Sequence, residues 1–80
     1  MIKLMKTSLN TIELNKLAKV CFLNCEGSIK RRLLDLGLIE GAKVIPILQS
    51  PAGELTAYEI RGTIIAIRAE DSKKIIVEEL

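Results

Sequence analysis

The chain has 80 residues with 12 basic and 10 acidic side chains, a net charge of +2, so it makes one small domain whose charge gives no ground for binding a nucleic-acid backbone. Apolar residues form 49% of it, yet the aromatics are Phe22 and Tyr58 alone, which leaves an aliphatic core and no aromatic groove for bases or polyproline. Histidine, the usual general base near neutral pH, is absent, and this argues against an enzyme.

Met1-Ile2-Lys3-Leu4-Met5-Lys6 is broken by lysines before an apolar run develops, so it does not read as a signal peptide. Residues 1–9 are expected to be a loose arm. No apolar run approaches the ~20 residues of a spanning helix, Val44 to Leu48 being the longest, so the expectation is a cytoplasmic protein that reaches a membrane only through a partner. Asn10 or Thr11 is placed to cap a short turn, and the leucine spacing of Thr11–Leu17 is compatible with a short helix, marginal at that length. Lys19–Cys25, branched and aromatic and followed by Glu26-Gly27, predicts the first strand.

The next stretch organises the chain. Ile29, Leu33 and Leu36 fall at i, i+4 and i+7 and make an apolar helical face, widened by Leu34, with Lys30, Arg31 and Asp35 toward solvent. Ser28 is the expected N-cap. Gly37 is the expected stop, entering the left-handed region and letting Leu38 fold back on Leu33 in a Schellman arrangement. Glu40-Gly41 is a second turn, and Lys43–Gln49 becomes a strand. Pro46 lacks an amide donor, which places that strand at an edge or a bulge; an edge blunted in this way favours a monomer.

Ser50-Pro51-Ala52-Gly53 predicts a loop, Leu55–Ile60 a strand, Arg61-Gly62 a tight hairpin turn and Thr63–Arg68 another strand. Ala69–Ser72 reads as one helical turn, acidic at its start, and Lys74–Glu78 as the closing strand. Five short strands with short connections and one inserted helix predict a mainly β domain, a small, strongly bent sheet or partly open barrel rather than a sandwich.

Arg32-Leu33-Leu34-Asp35-Leu36-Gly37-Leu38, then Gly41, Pro51, Gly53, Gly62, Ile67-Arg68, Ile75 and Val77, make the chain resemble the ferrous iron transport protein A (FeoA) family over nearly its whole length. The resemblance implies an SH3-like small barrel with an inserted helix. It implies a non-enzymatic cytosolic accessory of ferrous iron uptake, whose partner is a FeoB-type GTPase-coupled permease at the inner membrane face. Fe(II) is then implied only through the transport system. A similar module ends repressors of the diphtheria toxin regulator type, so the alternative is a metal-responsive module acting with a transcription factor. Two departures stand out: a glycine that the family often carries before the first strand is missing in Asn15-Lys16-Leu17-Ala18, and the loop Pro51-Ala52-Gly53-Glu54-Leu55 lacks the second proline of the family's Pro-x-Gly-Asp-Pro.

Lys30-Arg31-Arg32 is the densest basic run and falls in the expected first helical turn, where the helix dipole disfavours cations. Such a placement suits an acidic partner patch; the plainer reading is a solvated face with one arginine paired to Glu26 or Asp35. Leu38, Ile39 and Glu40 after the helix, and Pro51, Ala52 and Gly53 at the loop tip, complete the candidate partner surface. Ser28, Leu33, Leu36, Gly37, Gly41 and Gly62 are assigned structural roles. Cys21 and Cys25, four steps apart on one expected strand, would lie roughly 13 Å from each other, too far for a disulfide or one shared metal ion. Cys21 then reads as a core residue, with an interchain metal site at Cys25 as the functional alternative. The carboxylates Glu13, Glu54, Glu59, Glu70, Asp71, Glu78 and Glu79 show no metal-ligand spacing, so no metal or catalytic residue is assigned.

Overall fold

The computed structural model describes residues 5–80. Six antiparallel strands form one sheet in the order β1-β6-β2-β3-β4-β5: β1 Lys6–Ser8, β2 Ala18–Leu23, β3 Lys43–Gln49, β4 Leu55–Ile60, β5 Thr63–Arg68 and β6 Ile75–Glu79. Helix α1 (Gly27–Asp35) is inserted between β2 and β3, and the single turn α2 (Ala69–Ser72) between β5 and β6. The mainly β class is as expected, but the sheet is open and has six strands rather than five. Its edges are β1 and β5.

The extra strand comes from the expected arm. Residues 1–4 lie outside the described residues, while Lys6, Thr7 and Ser8 pair with Glu78, Val77 and Ile76. A 3-10 turn over Leu9–Thr11 follows and drops Leu9 fully into the core. The short helix with which the spacing of Thr11–Leu17 is compatible does not form; the segment turns at Asn15, whose φ of +66° is a left-handed conformation that asparagine enters at low cost. Its amide donates to the Pro46 carbonyl at 2.7 Å.

Strands β3, β4 and β5 have the bounds the sequence predicts, because each is a short run rich in apolar residues bounded by turn signals. Inward-facing Val44, Pro46, Tyr58, Ile60 and Ile67 meet Val20, Ile75 and Val77 from the other half of the sheet in one aliphatic core around the single tyrosine. Pro46 sits beside a bulge in the β3–β4 ladder, between Pro46 and Leu48. The bulge alternative therefore holds and the edge alternative does not, since β3 is an interior strand. The first predicted strand ends earlier than expected, at Leu23, which leaves Cys25 outside any strand.

Helix α1 ends as its sequence requires. Gly37 has φ +102°, its amide donates to Leu34 O at 3.0 Å, and the Leu38 amide donates to Leu33 O at 3.1 Å, the two bonds of a Schellman motif. Leu33 and Leu38 are both fully buried. At the other end Ser28 is not the cap. The helix begins at Gly27, the cap position is Glu26, and no side chain caps the free amides.

Candidate partner-binding surface

Helix α1 and the edge strand β5 face each other without closing. Between them runs a cleft of about 640 Å³. Ile29, Leu33 and Leu36 supply its α1 wall, Ile65 and Ile67 the β5 wall, and Arg32, Arg68, Glu70, Asp71 and Lys74 its rim. Only Leu33 of the helix is fully buried, so Ile29 and Leu36 are half-buried against the core with their remaining surface in the cleft. At Leu55 and Arg68 it joins a second hollow of about 540 Å³ reaching Ser50 and Glu54. Because β5 is an edge strand, one side of its backbone has no ladder partner. An apolar floor, a charged rim and an open strand edge are together the elements of a peptide-docking groove.

The candidate residues from the sequence fall in separate places. Lys30 and Arg31 are exposed and line a shallow hollow with Gly27, Ser28, Leu34 and Asp35, away from the cleft. Arg32 does line the cleft, but it belongs to the last helical turn rather than the first. Its pairing partner is Asp71 at 2.8 Å, not Glu26 or Asp35. Leu38 is fully buried and serves the core. Ile39 and Glu40 are exposed in the turn after the helix, and Glu40 and Gly41 share a hollow with Lys6, Lys19, Cys21, Phe22 and Glu78. Pro51 and Ala52 are exposed at the loop tip, with Gly53 half-buried behind them. None of these four hollows holds both Lys30 and the Pro51–Gly53 loop.

Sequence reasoning missed Ile29, Leu36, Ile65 and Lys74 as a surface. Ile29 and Leu36 read as an apolar helical face by periodicity and Ile65 as one residue of an isoleucine-rich strand, and only the gap between α1 and β5 exposes them.

Cys21 occupies the bulge in the β2–β6 ladder between Val20 and Phe22, with its thiol donating to Glu78 Oε1 at 3.4 Å. Burial pushes the thiol pKa up, and the hydrogen bond and charge of Glu78 push in the same direction. A thiol held protonated is a poor nucleophile and a poor metal ligand. Both cysteines are free, and no three His, Cys, Asp or Glu side chains converge as a metal site among the described residues.

The family model for the FeoA domain matches residues 7–79. The chain belongs to the FeoA domain family. Among solved structures, it is similar to the FeoA-like protein of Clostridium acetobutylicum, at 29% identity and a TM-score of 0.86, over 100% of this chain and 91% of that one. It is also similar to Stenotrophomonas maltophilia FeoA complexed with zinc, a procaryotic SH3 domain protein, at 27% identity and a TM-score of 0.77 over 88% and 87% of the two chains. A manganese-dependent transcriptional repressor shares the fold at 10% identity, with a TM-score of 0.86 over 100% of this chain and 45% of that one. No curated protein sequence matches. This FeoA domain thus has the SH3-like fold, and its family supports an accessory role in ferrous iron transport. FeoA is not a known enzyme family. No helix among the described residues is long and apolar enough to cross a membrane.

Proposed function

We propose that this FeoA domain is a non-enzymatic cytoplasmic module that docks on the cytosolic part of a FeoB-type GTPase-coupled iron permease and regulates or stabilises it. The observation that carries the reading is the α1–β5 cleft, where half-buried Ile29, Leu36 and Ile65 stand beside an open strand edge. An apolar segment of the permease seated there would complete the burial that α1 and β5 leave unfinished, with Arg32, Asp71 and Lys74 fixing its orientation at the rim. The Stenotrophomonas maltophilia relative has been suggested to act as a bacterial ferrous iron transport activating factor, which agrees with a role exerted through a protein partner. The regulatory alternative, a module working with a transcription factor, draws on likeness of fold alone.

The test is an NMR titration of the labelled domain with the permease's soluble cytosolic region, without added metal. Shifts are expected at Ile29, Leu36, Ile65 and Lys74. No shifts, or shifts confined to residues outside the cleft, would overturn the assignment.

A further inference from the structure

The wall that β5 gives the cleft is a backbone edge. Ile65, Ala66, Ile67 and Arg68 line the cleft in succession, although successive side chains of a strand point to opposite faces, so all four meet it only along the edge of the strand. The ladder to β4 fixes which groups stand there. The Ala69 amide donates to Glu54 O at 2.9 Å, whereas the Leu55 amide donates to Ser50 Oγ at 3.0 Å and the Leu55 carbonyl accepts from the Ser50 amide at 2.9 Å. Glu54 with Ala69 is thus a bonded pair, and Leu55 with Arg68 is not. Antiparallel pairs alternate in this way, so the register makes Thr56 with Ile67, Tyr58 with Ile65 and Ile60 with Thr63 the bonded pairs. The amides and carbonyls of Ile64, Ala66 and Arg68 therefore turn outward, about 6.8 Å from one residue to the next of the three. Among the described residues no strand pairs with β5 on that side.

A row of donors and acceptors at that spacing is matched by a second extended backbone, whereas a docked helix uses its own amides and carbonyls internally. The side chains of β5 divide to suit it. Ile67 is buried and Ile65 half-buried on the core side, while Ile64 and Ala66 are exposed on the other. An added strand shares this pleat, so alternate residues of it lie over the cleft, beside Ile65 and Ile67 and facing α1. The charges gather at one end, where β5 runs into α2. There Asp71 is paired with Arg32 at 2.8 Å and Glu70 lies 3.7 Å from Arg68. Half-buried Lys74, on the same rim, has no carboxylate within ion-pairing reach among the described residues. Three cations thus face two acids, and that end is complementary to an acidic side chain.

We infer that the cleft takes an extended acidic-apolar peptide segment, which adds to β5 as a further antiparallel strand. Its apolar residues occupy two alternate positions, opposite Ile67 and Ile65, and its carboxylate lies two residues before the first of them, at the Lys74 end. Antiparallel addition continues the pairing of every other strand in the sheet. Backbone pairing supplies the affinity in this mode, and alternate side chains supply the choice of partner. The inference rests on the docking reading above and adds to it the conformation, the spacing and the charge of the segment that docks.

The probe is the peptide acetyl-Glu-Thr-Val-Thr-Val-Thr-amide, titrated into the labelled whole chain up to about 5 mM and followed by NMR. The amides of Ile64, Ala66 and Arg68 should shift and exchange with solvent more slowly. N-methylation of the middle threonine, which falls opposite Ala66, removes a bond to β5 and should weaken binding about tenfold or more. N-methylation of the second valine, whose amide points away from β5, should change it less than about threefold. Replacing the glutamate by glutamine should weaken binding to the wild type about twofold to fivefold and leave binding to Lys74→Ser unchanged. Equal losses from the two N-methyl peptides would overturn strand addition, as would shifts at Ile29 and Leu36 with none at Ile64, Ala66 and Arg68; either leaves the cleft standing as a docking site. A peptide that moves no resonance at about 5 mM overturns strand addition as well, while the titration with the permease region decides docking separately. A glutamine peptide that binds as tightly as its parent overturns the acidic assignment.

Discussion

Arg32 Nη2 donates to Asp71 Oδ2 at 2.8 Å, and this one contact ties α1 to α2 across 39 positions of sequence. The two ends differ: the arginine side chain is 60% exposed and the aspartate 12%. Truncating the arginine therefore does more than delete a surface ion pair, because it leaves a nearly buried carboxylate without its partner. Arg32→Ala should cost about 1–2 kcal/mol in urea unfolding, while Asp71→Asn, which keeps an acceptor for the guanidinium, should cost less.

Gly37→Ala should be worse than its size suggests. At φ +102° the position is strained for any L side chain, and an added Cβ would come within 3.3 Å of Ile60 Cγ2. A loss of about 2 kcal/mol is expected, read as a lower thermal midpoint, with α1 amides near Leu34 and Leu38 losing hydrogen-exchange protection first.

The β4–β5 turn invites the opposite experiment. Arg61 and Gly62 have φ of +53° and +80°, the pair of positive values that a type I′ hairpin requires. Arginine meets that requirement poorly and asparagine well. Arg61→Asn should raise stability by about 0.5–1 kcal/mol, measured by the shift of the urea midpoint at unchanged slope.

Cys21 should make the fold sensitive to alkali. Its folded-state pKa lies above the ordinary value of 9.0, first through burial and then through Glu78. The folded state therefore favours the protonated thiol. That contribution to stability is complete below the pKa of the unfolded thiol and is lost as pH rises from there through the folded value. In a Cys25→Ser background, Cys21 should alkylate slowly at pH 8, and Glu78→Gln should speed the reaction; an unchanged rate would show that Glu78 does not govern the thiol.

Docking at the cleft predicts a contrast between neighbours on one helix. Ile29→Lys puts a charge into the apolar floor and should weaken permease binding about tenfold or more. Lys30→Ser with Arg31→Ser, on the solvent side, should change it less than about twofold. Calorimetric titration of both variants separates the cleft from the basic run.

What the sequence disclosed and what it withheld divide by range. Gly37, Gly41 and Gly62 announce their turns locally, and β3, β4 and β5 are apolar-rich runs bounded by turns, so their bounds can be read directly. Lys6–Ser8 has no such signal: three residues become a strand only because β6, some 70 positions later, offers its edge. Ser28 looked like a cap because serine commonly is one, but the helix begins one residue earlier, at Gly27, which puts Glu26 in the cap position. The site was less legible than the fold. Nothing in the spacing of Ile29, Leu36 and Ile65 distinguishes a core residue from one left half-covered by a gap between elements. Nor does any local pattern pair Arg32 with Asp71.

The whole excursion through α1 leaves and rejoins the sheet at nearly the same place. The Val20 amide donates to Ala42 O at 2.8 Å, and Gly41 donates back to Val20 O at 2.8 Å, so the backbone on either side of the helix is stitched together without it. The strands form a frame that reads through the insertion, and α1 hangs from that frame by one buried leucine, one ion pair and a glycine-terminated turn. Such an arrangement lets the helix be lengthened, re-faced or re-charged while the frame stays as it is. Rewriting residues 24–40 can therefore change the α1 wall of the cleft while the strand frame and the β5 wall stay as they are.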